Sequence, residues 1–145
     1  MFLDKTEKIK KMEHNQQEII FKLSMFEQQM QQLQQQIQAV EQSIVELQGL
    51  SEGLNEFKNS EGKEVMAQIG RGIFITSKII SKDLLVDIGG QNFVNKTIPE
   101  TQELINEQIG KLKEARTSLN NSIEEVSHEA EKLVGDIRME KNHNN

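Results

Sequence analysis

A narrow stripe of apolar residues runs through the first part of the chain. Stepping alternately by three and four residues from Ile9 reaches an apolar residue at twelve of fourteen positions, where a sequence that is 35% hydrophobic would give about five. The positions are Ile9, Met12, Gln16, Ile19, Leu23, Phe26, Met30, Leu33, Ile37, Val40, Ile44, Leu47, Ser51 and Leu54. This period is typical of a coiled coil, because it keeps one seam of side chains facing a partner helix. It predicts a first coiled-coil helix over residues 4 to 58, capped near Asp4.

A second stripe with the same period follows near the other end. Ten of its twelve positions are apolar, and the positions are Ile98, Gln102, Ile105, Ile109, Leu112, Arg116, Leu119, Ile123, Val126, Ala130, Leu133 and Ile137. Thr97 and Glu100 have the spacing of a capping box, and Pro99 is tolerated in a first helical turn. The pattern predicts a second coiled-coil helix over residues 98 to 141.

The two seams are expected to pack against each other within one chain, as an antiparallel helical hairpin. Paired residue numbers then sum to about 152, which brings the polar Ser51 close to Gln102. We therefore expect a shared polar layer at that point.

Residues 59 to 97 change in character. Glycines punctuate runs that are rich in isoleucine, valine and leucine, a pattern typical of β-hairpins. The first hairpin is predicted to turn across Gly70 and Gly72, and the second near Gly89 and Gly90, because glycine adopts the positive φ of tight turns. The fold class is therefore mainly α with a small β region, in which two β-hairpins lie between the two helices.

Hairpins of this kind need partners. A two-stranded hairpin is marginally stable alone in water, and open edges beside an apolar face favour pairing with another chain. We expect an obligate oligomer in which the strands join a common barrel or sheet, with a small core inside one chain as the alternative. The residues expected to form the assembly surface are Val65, Ala67, Ile69, Ile73, Ile75, Ile79, Leu84, Val86, Ile88, Phe93 and Val94.

Composition narrows the choice of function. The absence of cysteine excludes disulfides and thiolate sites, and a net charge of -6 disfavours a broad nucleic-acid-binding surface, whose affinity comes from lysine and arginine. The first residues lack the apolar stretch of a signal peptide, and no run approaches the roughly 18 apolar residues of a membrane span. We expect a cytoplasmic protein that binds neither nucleic acid nor membranes.

No arrangement of residues indicates catalysis. His14, His128 and His143 are far apart in sequence and lack metal-ligand spacing. Residues 70 to 72 lack the spacing of a phosphate-binding loop and predict a turn. A solvated helix face accounts for the acidic cluster of Glu124, Glu125, Glu129 and Glu131. We expect no enzyme activity, no metal and no cofactor.

The central segments EGKEVMAQIGRGIFITSKI (residues 61 to 79) and LLVDIGGQNFVNKT (residues 84 to 97) resemble the alpha-class prefoldins. Positions that follow the family pattern are Glu61, Gly62, Lys63, Glu64, Gly70, Gly72, Val86, Asp87, Gly89, Val94, Lys96 and Thr97. Departures from it are Gln68 and Thr76 in place of proline, Gln91 in place of a turn glycine, and Asn92 and Phe93 in place of a tyrosine pair. The order of helix, two hairpins and helix implies a single prefoldin-like domain over residues 1 to 145.

This resemblance implies an ATP-independent chaperone, a holdase that captures unfolded proteins and transfers them to a group II chaperonin. It also implies a hexamer, commonly of two alpha and four beta subunits, so that beta-class prefoldin subunits are the expected partners. Weak apolar contacts at the ends of the helical arms can hold a non-native chain, and methionine adapts to varied surfaces. The residues expected to contact such clients are Met1, Phe2, Leu3, Ile9, Met12, Leu133, Val134, Ile137 and Met139.

Other interpretations stay open. Ordinary packing in the seam also accounts for Ile9, Met12, Leu133 and Ile137. A frayed terminus also accounts for Phe2 and Leu3. For the whole chain, one alternative is a structural or filament-forming coiled-coil protein without holdase activity. Another is a nucleic-acid-binding helical arm, which the acidic balance disfavours.

Overall fold

Two long helices enclose two separate antiparallel hairpins in the computed structural model of the chain, which describes the backbone of residues 2 to 143 and the side chains of residues 13 to 139. In chain order the elements are α1 (Phe2–Glu56), β1 (Glu64–Gly70), β2 (Ile73–Lys78), β3 (Leu84–Asp87), β4 (Phe93–Lys96) and α2 (Ile98–His143). Each hairpin is a two-stranded sheet of its own, β1 with β2 and β3 with β4. The predicted fold class is confirmed.

The chain divides into two compact units. The terminal unit contains α1 up to Val40 and α2 from Ala115 onwards, and the hairpin unit, Glu41–Glu114, contains the remainder of both helices and all four strands. Among the described residues, the buried apolar side chains all lie in the hairpin unit, and they are Ile44, Leu54, Ile98, Ile105 and Ile109. The described seam residues of the terminal unit are half-buried at most. The hairpin unit therefore contains the core.

Burial along both helices follows the predicted seams. In α1 every seam position from Ile19 to Leu54 is half-buried or buried, and Gln16 is the one exposed position among those whose side chains are described. In α2 every seam position from Ile98 to Ile137 is half-buried or buried. The period of 3.5 residues therefore identifies the contact edge of each helix correctly.

Gln102 forms a polar layer within the seam of the hairpin unit. Its Nε2 donates hydrogen bonds to the carbonyl oxygen of Ser51, at 3.0 Å, and to Oδ1 of Asn55, at 2.8 Å. These contacts confirm the predicted proximity of Ser51 and Gln102. Leaving a partly buried amide without partners costs free energy, so the layer disfavours registers in which Gln102 faces apolar side chains.

The start of α2 is capped as the sequence predicts. Thr97 Oγ1 accepts a hydrogen bond from the N–H of Glu100, at 3.2 Å, which satisfies one of the free donors of the first turn. The carbonyl oxygen of Thr97 accepts two further bonds from Thr101, from its N–H at 3.0 Å and from its Oγ1 at 2.8 Å. Thr101 is buried, and these bonds give its hydroxyl a partner there.

The limits of α1 differ from those expected. The helix already includes Phe2, so Asp4 does not cap its start as predicted. At the other end the helix stops at Glu56, two residues before the expected limit. Beyond Glu56, the N–H groups of Phe57 and Lys58 bond to carbonyl oxygens three residues earlier, at 3.1 and 3.2 Å. These bonds tighten the last turn, and Asn59 then adopts a φ of 61°, a conformation that asparagine tolerates after a helix end.

We predict that Gln102→Ala lowers the free energy of unfolding by about 1 kcal/mol, because both hydrogen bonds across the seam are lost. Gln108→Ala is the matched control, since Gln108 is an exposed glutamine of the same helix, and we expect it to change stability by less than about 0.5 kcal/mol. Urea denaturation followed by circular dichroism measures both. Equal effects of the two substitutions would contradict a role for the polar layer.

Candidate functional site: apolar surfaces of the hairpins and helices

The first hairpin is a short antiparallel ladder that turns at Gly72. It pairs Ala67 with Ile75, and Gly72 has a φ of 72°, which glycine adopts without a steric penalty. Beyond the strands, the N–H of Gly62 donates a hydrogen bond of 2.7 Å to the carbonyl oxygen of Ile79 and extends the ladder. The ladder therefore continues past the strand ends, and a bulge between Gln68 and Gly70 interrupts it near the turn.

Alternation along β1 and β2 gives this hairpin two different faces. One of them, the isoleucine face, carries the predicted assembly residues Val65, Ala67, Ile73 and Ile75. Two further predicted assembly residues adjoin it: Ile69 lies in a bulge between Gln68 and Gly70, and Ile79 follows the end of β2. Ile69, Ile73 and Ile75 are 63%, 58% and 47% exposed. The opposite face carries Met66 and Phe74, at 71% and 50%. Both faces of the first hairpin thus leave large apolar side chains uncovered by the chain.

The second hairpin buries one face better than the other. Its register places Val86 opposite Val94. Both are half-buried, as is Leu84 on the same face. These three predicted assembly residues therefore lie side by side, and we call this surface the valine face.

Two other predicted assembly residues of this hairpin lie elsewhere. Phe93 pairs with Asp87, so it points to the opposite face together with Leu85, and the two apolar side chains are 56% and 68% exposed. Ile88 follows the end of β3 and is 58% exposed. Neighbouring residues of a strand point to opposite faces, so Phe93 and Val94 lie on different faces of the hairpin.

The turn of the second hairpin contains a non-glycine residue in a left-handed conformation. Gly90 and Gln91 both have a φ of 61°, as a type I′ turn requires. The N–H of Asn92 donates to the carbonyl oxygen of Gly89, at 3.1 Å, and closes the turn. Asp87 Oδ1 accepts a hydrogen bond from the N–H of Gly89, at 2.9 Å. Gln91 keeps its left-handed conformation because these two hydrogen bonds fix the backbone of the turn.

Each sheet has only two strands, so every strand is an edge. A strand edge presents unpaired N–H and C=O groups to which a further strand can bond. The hairpins therefore offer two means of association: edges that can extend a ladder, and apolar faces that another subunit can cover. Neither requires a catalytic group.

The predicted client-contact residues near the chain ends divide into two groups. Met1, Phe2, Leu3, Ile9 and Met12 lie outside the residues whose side chains the structure describes. In α2, Leu133 and Ile137 are half-buried in the seam, as their alternative interpretation requires. Val134 and Met139 lie off the seam and are 38% and 72% exposed.

A shallow groove runs along α2 in the terminal unit. It is lined by Met30, Ser127, Ala130, Glu131, Val134, Gly135 and Arg138. The space above Gly135 is open, since a Cβ at that position would meet no atom within 4 Å. Val134 is therefore part of a surface depression that combines apolar and charged side chains.

Sequence reasoning missed three exposed apolar residues in the part of α1 that belongs to the terminal unit. Ile20, Phe21 and Met25 are 66%, 65% and 46% exposed. They lie between the seam positions, where a coiled coil ordinarily has polar side chains. The signal that could have found them is the presence of apolar residues at positions that the seam does not use.

The remaining chemistry is sparse. Within the described part of the chain, no group of three or more histidine, cysteine, aspartate or glutamate side chains is arranged to hold a metal ion. In that same part, no helix combines the length and apolar character needed to cross a membrane.

Comparison with known proteins identifies relatives of the chain. Residues 26–143 match the Prefoldin family, described as prefoldin subunit. Prefoldin subunit alpha of Methanosphaera stadtmanae is 28% identical over 89 residues, which cover 61% of this chain and 64% of that relative. Prefoldin subunit alpha of Methanococcus aeolicus is 28% identical over 122 residues, which cover 83% of each chain.

A solved structure has a similar fold. It is the filamentous PFD from Methanocaldococcus jannaschii, determined by electron cryo-microscopy, and it superposes with a TM-score of 0.73 at 22% sequence identity. The match covers 79% of this chain and 96% of that chain. At this identity the likeness concerns the fold alone.

We predict that Gln91→Gly raises the stability of the second hairpin by about 0.5 to 1 kcal/mol, because glycine has no Cβ to oppose the left-handed conformation. Asn95→Gly, in a regular strand position, is the control and should lower stability by a similar amount. Thermal unfolding of the assembled protein measures both changes. A loss of stability on Gln91→Gly would contradict the assigned turn.

Proposed function

Because the chain belongs to the prefoldin family as an alpha-class subunit, its role is that of a chaperone subunit that assembles with other prefoldin subunits, and we propose that it is an ATP-independent holdase. In this proposal the hairpins build the oligomer and the helical arms hold unfolded proteins. No catalytic step and no cofactor is involved. The cysteine-free sequence agrees with the cytoplasmic location that we propose.

One observation carries the proposed assembly. The first hairpin leaves Ile69, Ile73 and Ile75 about half exposed or more, and its strand edges pair with no further strand among the described residues. Burying apolar area of this kind stabilises an association by roughly 25 cal/mol per Å². We propose that strands of beta-class subunits cover the isoleucine and valine faces, in a hexamer of two alpha and four beta subunits.

Client capture is the second part of the proposal. Val134 and Met139 are exposed apolar residues of the terminal unit, and flexible methionine side chains adapt to different partners. Many weak apolar contacts can retain an unfolded protein and release it without ATP hydrolysis. We propose that the helix ends, including Met1, Phe2, Leu3, Ile9 and Met12, make such contacts. Release would then deliver the client to a group II chaperonin.

The assembly surface is tested by placing charge on it. We expect the double substitution Ile75→Asp and Val86→Asp to block formation of the hexamer with a beta-class partner, because carboxylates cannot be buried unpaired in an apolar interface. The helical signal should persist, since the seam is unaltered. Light scattering coupled to size-exclusion chromatography measures the mass of the complex, and circular dichroism measures the helix content.

The matched control for this test places the same charges on the other faces. Thr76→Asp and Asn95→Asp change exposed residues of β2 and β4, on the sides opposite the isoleucine and valine faces. We expect this variant to assemble. A hexamer formed equally well by both variants would contradict the proposed assembly faces.

Holdase activity is tested with the assembled complex and a chemically denatured protein, whose aggregation is followed by turbidity. We expect suppression of aggregation without ATP. Deletion of residues 1 to 8 should leave the number of subunits in the complex unchanged and weaken the suppression of aggregation. Unchanged suppression of aggregation would show that residues 1 to 8 do not contact the client. A complex that never suppresses aggregation would instead favour a structural or filament-forming coiled-coil protein.

A further inference from the structure

The last turns of α1 carry an apolar surface away from the helical seam. Val45, Leu50 and Phe57 are 63%, 53% and 44% exposed, and all three lie in the hairpin unit. Each is three or four residues from one of two glycines, Gly49 and Gly53, so the five residues are neighbours along the chain's helical surface. We call these five residues the stem face.

The stem face lies opposite the seam. Gly49 is two residues from each of the seam positions Leu47 and Ser51, and two residues turn a helix by about 200°. A Cβ at Gly49 or Gly53 would meet no atom within 4 Å, so the packing of this chain requires neither glycine. Both lie inside a helix, where glycine is less stable than alanine. The surface is therefore open, and a role in folding does not account for its glycines.

The spacing of the stem face fits a second helix. Leu50, Gly53 and Phe57 follow one another by three and four residues, the period with which a helix presents a seam to a partner helix. The N–H of Phe57 donates a hydrogen bond of 3.1 Å to the carbonyl oxygen of Leu54, so the backbone continues to turn beyond the end of α1. A glycine within such a seam lets the backbone of the partner approach closely.

The charges along this part of α1 are all negative. Residues 41 to 57 contain four glutamates and no lysine or arginine, and the glutamates are Glu41, Glu46, Glu52 and Glu56. The last three are each three or four residues from Gly49 or Gly53, so they flank the apolar side chains. Glu46 Oε1 accepts a hydrogen bond of 3.1 Å from Nε2 of Gln42, which orients that carboxylate.

The rest of the hairpin unit does not reverse this charge. The nearest cation along the chain is Lys58, and residues 98 to 114 of α2 add four glutamates and two lysines. Over residues 41 to 114 carboxylates outnumber lysine and arginine by twelve to eight. A positively charged partner is therefore attracted to the stem face, and an acidic partner is repelled.

We propose that the stem face binds a basic amphipathic helix of a partner protein. The apolar side of that helix packs on the stem face, and its lysine or arginine side chains lie beside the three flanking glutamates. The contact is made with a folded helix and goes beyond the proposed holdase function. A second copy of this chain that presents the same surface fits less well, because it brings glutamates against glutamates.

The test uses the full-length chain assembled with a beta-class partner and three fluorescent peptides of equal length. The first peptide is a lysine-rich amphipathic helix, and the second replaces its lysines by glutamates. The third has the composition of the first in an order without helical periodicity. We expect fluorescence anisotropy to show the first peptide binding about tenfold more tightly than either of the others at low salt, the equivalent of about 1.4 kcal/mol. Its preference over the second should shrink as salt is raised.

Substitution of the glycines separates binding from folding. Gly49→Gln with Gly53→Gln fills the stem face with side chains that favour a helix more than glycine does. We expect this variant to unfold at a higher temperature and yet to bind the first peptide about tenfold more weakly, about 1.4 kcal/mol. The matched control is Gly110→Gln in α2, where a Cβ also meets no atom within 4 Å. It should unfold at a higher temperature as well and bind the peptide as the unsubstituted complex does.

Removal of the apolar side chains gives a second variant. Val45→Gln with Leu50→Gln should also weaken binding of the first peptide. Its control is Ile20→Gln with Phe21→Gln, which removes side chains that are 66% and 65% exposed in the terminal unit and should leave binding unchanged.

Three results would overturn the inference: equal binding of the first and third peptides, equal binding of the first and second peptides, or unchanged binding after the glycines are filled. Self-association of the unsubstituted complex that the glycine variant abolishes, measured by light scattering, would also overturn it and would make a second copy the occupant. Suppression of aggregation is measured separately, so failure of the holdase proposal and failure of this inference are distinguishable.

Discussion

Packing of apolar side chains along one edge of α1 against one edge of α2 is the interaction on which the rest of this structure depends. The edges are narrow, with one seam position every three or four residues, and the seams contain twelve apolar residues of α1 and ten of α2. Gln102 interrupts it in the hairpin unit and bonds to Ser51 and Asn55. The apolar packing supplies the stability, and the polar layer favours one register over its neighbours.

Because the seam occupies one edge of each helix, exposed apolar residues remain on the hairpins, on the outer surface of α1 and, at Val134 and Met139, on α2. The hairpins have open strand edges and incompletely covered faces, features of a protein that completes its fold by association. The outer residues of α1 lie off the seam among polar and charged side chains. In the proposed function the hairpin surfaces make the permanent contacts with partner subunits.

The sequence was sufficient to predict the seams, the two hairpins and the pairing of Ser51 with Gln102, because each rests on a short-range period or on glycine at a turn. It grouped Phe93 with Val94, although neighbouring residues of a strand point to opposite faces. It also missed the end of α1, where the last hydrogen bonds reach back three residues. Ile20, Phe21 and Met25 escaped notice because a search for the seam passes over apolar residues at other positions.

The central claim is that the hairpin strands are completed by partner subunits while the helical seam is complete within the chain. Hydrogen–deuterium exchange, measured on this chain before and after mixing with a beta-class subunit, tests it most directly. The account predicts that amide exchange in β1, β2, β3 and β4 slows markedly on mixing, while exchange along the α1 and α2 seam in the hairpin unit changes little. Strand amides that exchange equally fast before and after mixing, in a complex that has formed, would contradict it.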